Sequence, residues 1–248
     1  MLEIAAGRGE LATALAVTAP DLTVTALDLV QRPSDLPDRV GWVQAAAPQG
    51  LPAPPASGRT LVIAWEWLDV VPCDVLEIDD DGEPRMVLVD PHSGAEELGP
   101  APAPADRDWL DEWWPLAQAE PGDRAEVGRT RDDTWTALVT GLRAAGWGGA
   151  LLTVDYDHDR TSRPPLGSLA GFRAGRRVPP RPDGTCDITA HVALDSVRAA
   201  GERAGASTIA FTRQHQALTG LGVEGRPGSA ELLDPGGLGG FGWLLQRF

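Results

Sequence analysis

The first residues of the chain combine a carboxylate, a glycine turn and a second carboxylate within one βαβ-sized stretch. Glu3 lies within a short apolar run near the start of the chain, Gly7 and Gly9 follow this run, and Asp28 comes about 20 residues later. Glycines in such a turn can take positive φ and let a ligand approach the backbone, and the helix that follows offers free N–H groups. Asp28 can accept two hydrogen bonds from a ribose diol. The spacing predicts a site for an adenosine-containing cofactor, either NAD or S-adenosylmethionine.

Glu3 favours S-adenosylmethionine. It lies shortly before Gly7, close to the end of the predicted first strand. NAD sites keep that strand apolar, whereas methyltransferase sites commonly place an acid there, beside the methionine end of the cofactor. The chain also shows no second mononucleotide-binding half of the kind that dinucleotide sites use. The cofactor that we predict is therefore S-adenosyl-L-methionine, and a simple strand–helix turn without a ligand is the alternative.

Acidic side chains follow two later predicted strands as well. Glu66 comes shortly after the apolar run Thr60–Ala64, and Asp155 directly follows Ala150–Val154. Because parallel strands end at one rim of a sheet, we expect Asp28, Glu66 and Asp155 to converge there.

Further predictions concern the residues that would contact the methyl acceptor, the group that receives the methyl from the cofactor. Glu66 is predicted to orient the substrate or contact the cofactor, with Asp69 as its neighbour on one face if a helical turn begins there. Asp155 and Tyr156 are predicted to line the acceptor pocket, and His191 to accept a proton. The alternatives are structural: Asp69 as a cap, Glu66 as a solvated loop acid, Tyr156 as a hydrogen-bonding residue and His191 as a loop-ordering residue.

Apolar and polar runs alternate along the chain in a βα rhythm, which predicts an α/β fold with a mostly parallel sheet and helices on both faces. Strands are expected at Leu22–Leu27, Val40–Gln44, Thr60–Ala64, Ala150–Val154, Thr208–Thr212 and Phe241–Phe248, and helices at Glu10–Ala19, Trp109–Leu116, Arg131–Ala145 and Val192–Ala204.

Two stretches depart from this rhythm. Alternating residues at Asp74–Ile78 and Arg85–Val89 flank an Asp-Gly turn, which predicts a β-hairpin inserted into the main fold. We therefore expect residues 1–248 to form a single methyltransferase-like domain with an insertion at about 73–130. A second departure is an arginine-rich loop at about 157–187, which could dock an acidic partner. A solvated loop without a partner is the alternative.

Composition narrows the class of protein. The chain has 248 residues, a net charge of −15 and 42% hydrophobic residues, as a globular protein does. All 21 basic residues are arginine, but the acidic balance argues against a nucleic-acid surface. Cys73 and Cys186 show no spacing for a metal or a disulfide framework, and no apolar run predicts a membrane span or signal peptide. We expect a cytoplasmic protein without a metal ion.

The chain resembles the MidA-like methyltransferase family, whose mitochondrial members act as complex I assembly factors. The resemblance rests on blocks that occur in the same order and span nearly the whole sequence. These blocks are Glu3–Leu11, Ala64–Pro72, Gly149–Tyr156, Gly167–Leu169 with Asp187–Val192, and Asp234–Gly239.

This resemblance implies a class I methyltransferase fold with a seven-stranded sheet, a protein substrate and, as in the mitochondrial relatives, methylation of arginine. From this resemblance together with the spacing described above, we predict cofactor contacts by Glu3, Ala5, Gly7, Gly9, Asp28 and Trp65, catalytic roles for Glu66, Asp69 and His191, and substrate contacts by Asp155 and Tyr156. For Trp65, a core position or a substrate contact is the alternative.

The sequence also departs from the family pattern. Ala5 and Asp157 stand where the family usually has glycine, and Trp65 where it usually has asparagine. The family carries several helices before the first strand, so we expect this chain to be N-terminally truncated relative to it. These departures favour one alternative function, a methyltransferase-like scaffold that binds a partner protein without catalysis.

Overall fold

The structure, a computed structural model, describes residues 1–56 and 58–248. These residues form two compact units. The first unit comprises Met1–Trp67, Asp133–Asp155 and Arg198–Phe248, and the second comprises Leu68–Asp132 and Tyr156–Val197. Most of the second unit therefore comes from the two stretches that depart from the βα rhythm of the sequence.

The strands, in chain order, are β1 (Leu2–Ile4), β2 (Thr25–Asp28), β3 (Gly41–Gln44), β4 (Thr60–Trp65), β5 (Asp74–Ile78), β6 (Pro84–Val89), β7 (Glu96–Leu98), β8 (Arg124–Val127), β9 (Gly149–Asp155), β10 (Asp157–His158), β11 (Ala170–Arg173), β12 (Arg176–Val178), β13 (Asp187–Thr189), β14 (Val192–Ala193), β15 (Ser207–Arg213) and β16 (Gly242–Arg247). The helices are α1 (Glu10–Thr18), α2 (Pro104–Trp113), α3 (Arg129–Ala144), α4 (Leu194–Arg203), α5 (Gln214–Gly220) and α6 (Ser229–Leu233), and a 3-10 turn spans Leu238–Gly240.

A seven-stranded sheet forms the centre of the first unit. Its strand order is β15-β16-β9-β4-β1-β2-β3. The strands β9, β4, β1, β2 and β3 run parallel, whereas β16 is antiparallel to both β9 and β15. The sheet is thus mixed, with a parallel body and an antiparallel edge. It has the seven strands that the family resemblance implies.

Burial explains the central strands. β1 and most of β4 lie out of solvent, so β4 is a nearly continuous apolar run rather than an alternating one. One cluster of buried residues joins β4, β9 and β16. Its members are Ile63, Leu152, Val154, Phe241 and Trp243. These contacts fix the strand ends that carry the candidate site.

The long helix α3 follows its apolar spacing closely. Trp135, Leu138, Val139 and Leu142 are all fully buried, as expected for one face of an amphipathic helix. The indole N–H of Trp135 donates to the side-chain oxygen of Gln246 at 2.8 Å, so this buried polar group is also satisfied.

The second unit contains a four-stranded antiparallel sheet in the order β7-β6-β5-β8. The hairpin that the sequence predicts forms its middle, with β5 paired to β6 around Gly82, whose φ of +81° only glycine adopts without strain. The helix α2 packs on this sheet and begins at Pro104, five residues before the predicted start at Trp109, because proline fits the first turn of a helix.

The arginine-rich stretch is more regular than the predicted loop. β11 pairs with both β12 and β13 in a small antiparallel sheet, and β10 pairs with β14. The same pairing explains why α4 begins at Leu194 rather than at Val192 as predicted. These strands are two to four residues long, too short to produce a readable alternation.

Every helix in the part of the chain that the structure describes is too short or too polar to cross a membrane.

Candidate active site

The turn after β1 has an unusual backbone. Ala5, Gly7 and Gly9 have φ values of +56°, +57° and +75°, so three residues within five adopt the left-handed region. A side chain on Gly9 would come within 2.5 Å of Leu36 Cδ1, which reserves this position for glycine on packing grounds as well. A Cβ on Gly7, in contrast, would meet nothing within 4 Å. The turn is therefore packed at its base and open at Gly7.

Glu3 lies at the base of this turn and is only 5% exposed. Its carboxyl accepts a hydrogen bond from the backbone N–H of Ala12, one of the N-terminal donors of α1 that the helix itself leaves unpaired. The other oxygen, Oε2, is buried and has no hydrogen-bond partner. Burial raises the pKa of Glu3 to about 7, helped by the nearby carboxylates of Glu10 and Asp28 and opposed by the Ala12 bond.

Asp28, at the end of β2, contacts the glycine turn directly. The Gly7 N–H donates to Asp28 Oδ2 at 2.8 Å, and the Val30 N–H donates to Oδ1 at 3.1 Å. Beyond it, Leu29 and Val30 are 70% and 52% exposed, which places apolar surface beside the carboxylate. The turn and the acid that the sequence assigns to one site are therefore in contact.

The sheet brings the three predicted rim acids to one edge. Asp28, Glu66 and Asp155 lie at or just beyond the carboxyl ends of the parallel strands β2, β4 and β9. Their exposure differs, however: Glu66 is exposed, Asp28 is half-buried and Asp155 is fully buried. Glu66 and Asp155 are the two acids predicted to contact the methyl acceptor, and Glu66 is the more accessible of the two.

Glu66 also has a strained backbone, with φ of +46°. Its N–H donates to Val154 O at 2.9 Å, which ties it to β9, and its Oε1 accepts from the indole N–H of Trp65 at 3.2 Å. The strain and the indole bond hold the carboxylate beyond the end of β4. Trp65, a predicted cofactor contact, is half-buried and orients Glu66 in this structure.

The helical turn that would place Asp69 on the same face as Glu66 does not form, because residues 66–70 adopt bends and a turn. Asp69 belongs to the second unit and is 4% exposed. Its carbonyl oxygen accepts from Arg131 at 3.0 Å and from the Ala190 N–H at 3.1 Å, so its backbone anchors the segment before His191.

Tyr156 and His191, the other predicted acceptor residues of the second unit, stack on each other. Their ring centroids are 5.6 Å apart and their planes are inclined by 21°. Desolvation lowers the pKa of His191 even though the residue as a whole is exposed, because one ring face lies against Tyr156. Tyr156 is 36% exposed, so the pair offers an accessible aromatic surface.

One polar cluster of the second unit was missed at the sequence level. Glu126 on β8 is 2% exposed, and His158 packs edge-on against Trp114. Burial, followed by the nearby Arg163 cation, lowers the pKa of His158 to about 3. The Arg163 side chain is 7% exposed and is paired with Asp195 at 2.7 Å, so it is not available to an acidic partner, as a docking role for the arginine-rich stretch would require. The available signal was an acid between two apolar residues of β8, Ala125 and Val127.

Comparisons with known proteins identify the family and the fold of the chain. A family model described as "Putative S-adenosyl-L-methionine-dependent methyltransferase" matches residues 15–212. Among solved structures, an uncharacterised protein from Burkholderia thailandensis is similar over 100% of this chain and 73% of its own, with 22% identity and a TM-score of 0.73. A Burkholderia thailandensis protein bound to S-adenosyl-homocysteine is similar over 100% and 70%, with 22% identity and a TM-score of 0.70. The curated proteins contain no match.

Proposed function

Because the chain belongs to the family of S-adenosyl-L-methionine-dependent methyltransferases, we propose that its first unit holds this cofactor with the glycine turn, Glu3 and Asp28. The observation that carries the proposal is the 2.8 Å bond from the Gly7 N–H to Asp28, next to a buried Glu3 oxygen that has no partner. A buried carboxyl oxygen without a donor is costly, and a bound cation or hydroxyl would satisfy it.

The residues present fit the cofactor. Gly7 faces open space, which leaves room for a ligand beside the backbone, and Asp28 keeps lone pairs for a ribose diol beyond its two backbone bonds. Glu3 can pair with the amino group of the methionine end. Ala5, Gly9 and Trp65 complete the predicted set: the first two shape the turn, and Trp65 borders it at the end of β4.

The chemistry divides between cofactor and protein. When bound, S-adenosyl-L-methionine supplies an electrophilic methyl group on a sulfonium. The protein has to orient the acceptor in line with that group and exclude water. In the first unit, Glu66 has the exposure and the fixed direction to pair with an acceptor, and buried Asp155 supports the strand end.

For the acceptor, we propose a protein side chain, arginine, as in the MidA-like family that the sequence resembles. A guanidinium is always charged and pairs with carboxylates, which Glu66 provides in the first unit. In the second unit, the stacked rings of Tyr156 and His191 are the kind of planar surface on which a guanidinium also packs. Asp69 anchors the His191 segment through its backbone rather than through a shared face with Glu66. His191 would accept the proton that the methylated guanidinium releases.

A second candidate function is a scaffold that binds a partner protein without methyl transfer. It is favoured by Ala5, an L-residue held at φ of +56° where the resembled family has glycine. A scaffold does not need the carboxylates of Asp28 and Glu66, so variants at these positions separate the two functions. The cytoplasmic location stays a prediction.

Calorimetric titration with S-adenosyl-homocysteine tests the cofactor site. We expect the folded protein to bind it and Asp28→Asn to weaken binding about 10- to 100-fold, because hydrogen bonds to a charged acceptor contribute about 1.5–3 kcal/mol. Asp38→Asn is the matched control, since Asp38 is exposed on the loop before β3. Absence of binding by the folded wild-type protein would contradict the proposal and leave the scaffold.

The acceptor is tested separately with an arginine-containing peptide library and isotopically labelled cofactor, analysed by mass spectrometry. Label on arginine that is lost in Glu66→Gln supports the proposed acceptor. Label confined to another residue type, or on arginine at an undiminished level in Glu66→Gln, contradicts it.

A further inference from the structure

Glu126 is an acid in a strand that otherwise buries apolar side chains. On β8 its neighbours Ala125 and Val127 are 1% and 2% exposed, and Glu126 itself is 2% exposed. A carboxylate at such a position loses its hydration and must be compensated by donors. Three donors are present, and all belong to two adjacent residues of one loop: the N–H and Oγ of Ser168 and the N–H of Leu169.

The distances are short. The Ser168 Oγ donates to Glu126 Oε2 at 2.7 Å, while the two N–H groups donate to Oε1 at 2.5 and 2.7 Å. One carboxylate therefore fixes the backbone and the hydroxyl of Ser168 together, as charge-assisted bonds do. Gly167 allows the loop to approach, because a Cβ there would come within 3.0 Å of Glu126 Oε1.

The Ser168 hydroxyl, held by Glu126, in turn holds the backbone of His191. Its Oγ accepts a hydrogen bond from the His191 N–H at 2.8 Å while it donates to Glu126. On the other side, the His191 carbonyl accepts from Arg131 at 2.8 Å. Both peptide groups of His191 are thus tied to side chains, rather than to a neighbouring strand.

The ring of His191 then lies on Tyr156. The next residue, Val192, donates its N–H to the Tyr156 carbonyl at 2.8 Å, so the two segments are held in register. A continuous series of contacts runs from Glu126 through Ser168 to the backbone of His191 and its stack on Tyr156. His158 is a further titratable group near Glu126, with Nε2 at 4.0 Å from Oε2, and it makes no hydrogen bond to it. Cys73 and His191 also lie close enough to interact electrostatically with Glu126.

We propose that Glu126 and Ser168 are positioning residues that hold the His191 imidazole against Tyr156 for the methyl acceptor. The role of the Tyr156–His191 pair rests on the proposed function, whereas the geometry of the pair does not. Neither residue touches the acceptor surface itself. Both residues act on His191 through the Ser168 hydroxyl. Removal of this hydroxyl is therefore the smallest change that interrupts the series of contacts.

The chain offers a direct probe, because Tyr156 is its only tyrosine. Labelling tyrosine with ¹³C yields ring signals from this residue alone, and the stacked imidazole shifts them. His191→Ala defines the unstacked position of the signals. We expect Ser168→Ala to reproduce most of that displacement and Ser168→Thr, which keeps a hydroxyl, to stay near the wild-type position.

Ser162→Ala is the matched control. Ser162 lies in the same stretch, is exposed and bonds to Asp159 rather than to the Glu126 series. The proposal would be overturned if the Tyr156 signals of Ser168→Ala stayed at their wild-type positions. It would also be overturned if His191→Ala did not displace these signals. If Ser168→Ala does not fold, Glu126→Gln answers the same question, since its amide cannot accept all three donors and is expected to displace the signals in the same direction.

The result is independent of cofactor binding. Titration of Ser168→Ala with S-adenosyl-homocysteine should match the wild-type protein, because the cofactor contacts lie in the first unit. Failure of the wild-type protein to bind would remove the proposed function, while the Tyr156 signals would still decide whether the positioning series exists.

Discussion

Glu3 makes the stability of this protein depend on pH in an unusual direction. Its pKa in the folded protein is about 7, against an ordinary value of 4.5, because burial penalises the charged form. A raised pKa means that the folded protein binds an extra proton between these two values. The stabilising effect of the protonated carboxyl is fully present below about pH 4.5 and is lost as pH rises through about 7.

The magnitude follows from the shift. At about 1.4 kcal/mol per pKa unit, a rise from 4.5 to about 7 corresponds to about 3 kcal/mol, and more compact unfolded states reduce this to about 2–3 kcal/mol. Glu3→Gln imitates the protonated carboxyl at every pH. We therefore expect the variant to match the wild-type protein near about pH 4.5 and to exceed its free energy of unfolding by about 2–3 kcal/mol near about pH 8.

Urea unfolding followed by circular dichroism at several pH values measures this difference. Glu224→Gln is the control, because Glu224 is exposed in the same unit and should shift neither end of the curve. A difference between Glu3→Gln and wild type that stays constant from about pH 5 to about pH 8 would refute the reasoning, since it would mean that burial does not affect the ionisation of Glu3.

Two further predictions concern backbone and packing. Ala5→Gly should raise the free energy of unfolding by about 0.5–1 kcal/mol in urea titrations, because relief of the left-handed strain outweighs the added freedom of the unfolded chain, and an unchanged or lower value would contradict this. Gly201→Ala should lower it by about 2–3 kcal/mol, although alanine normally favours a helix, because the added Cβ overlaps Gln246 and presses on the Trp135 indole. Gly220→Ala, in α5 with open space around it, is the control and should be neutral or stabilising.

Several elements could be predicted from the sequence because the patterns that indicate them lie within short segments of the chain. The apolar spacing of Trp135, Leu138 and Leu142 predicts α3 to within two residues of its observed start. The Asp-Gly turn predicts the β5–β6 pairing, and the glycine turn with Asp28 predicts two groups that prove to be hydrogen-bonded. In each case the relevant interactions lie within one helix, one hairpin or one βαβ unit.

Other features depended on contacts that no local pattern carries. Strands of two to four residues in the arginine-rich stretch exist because β11 to β14 find partners, and their sequences alternate too briefly to reveal it. Glu66 and Asp69 are three positions apart, yet one is exposed and the other buried, because no helix forms between them.

The sequence by itself determined which chemical groups the chain can present. These groups are a glycine turn, acids at the ends of strands, a single tyrosine and the segment that contains His191. Only the tertiary structure decided the state of these groups. Burial sets the ionisation of Glu3, and a carboxylate on β8 holds His191 through a serine more than 40 residues away in the chain. The physical reason is that residue type and spacing act locally, whereas desolvation and hydrogen bonding between distant segments exist only after the chain has packed.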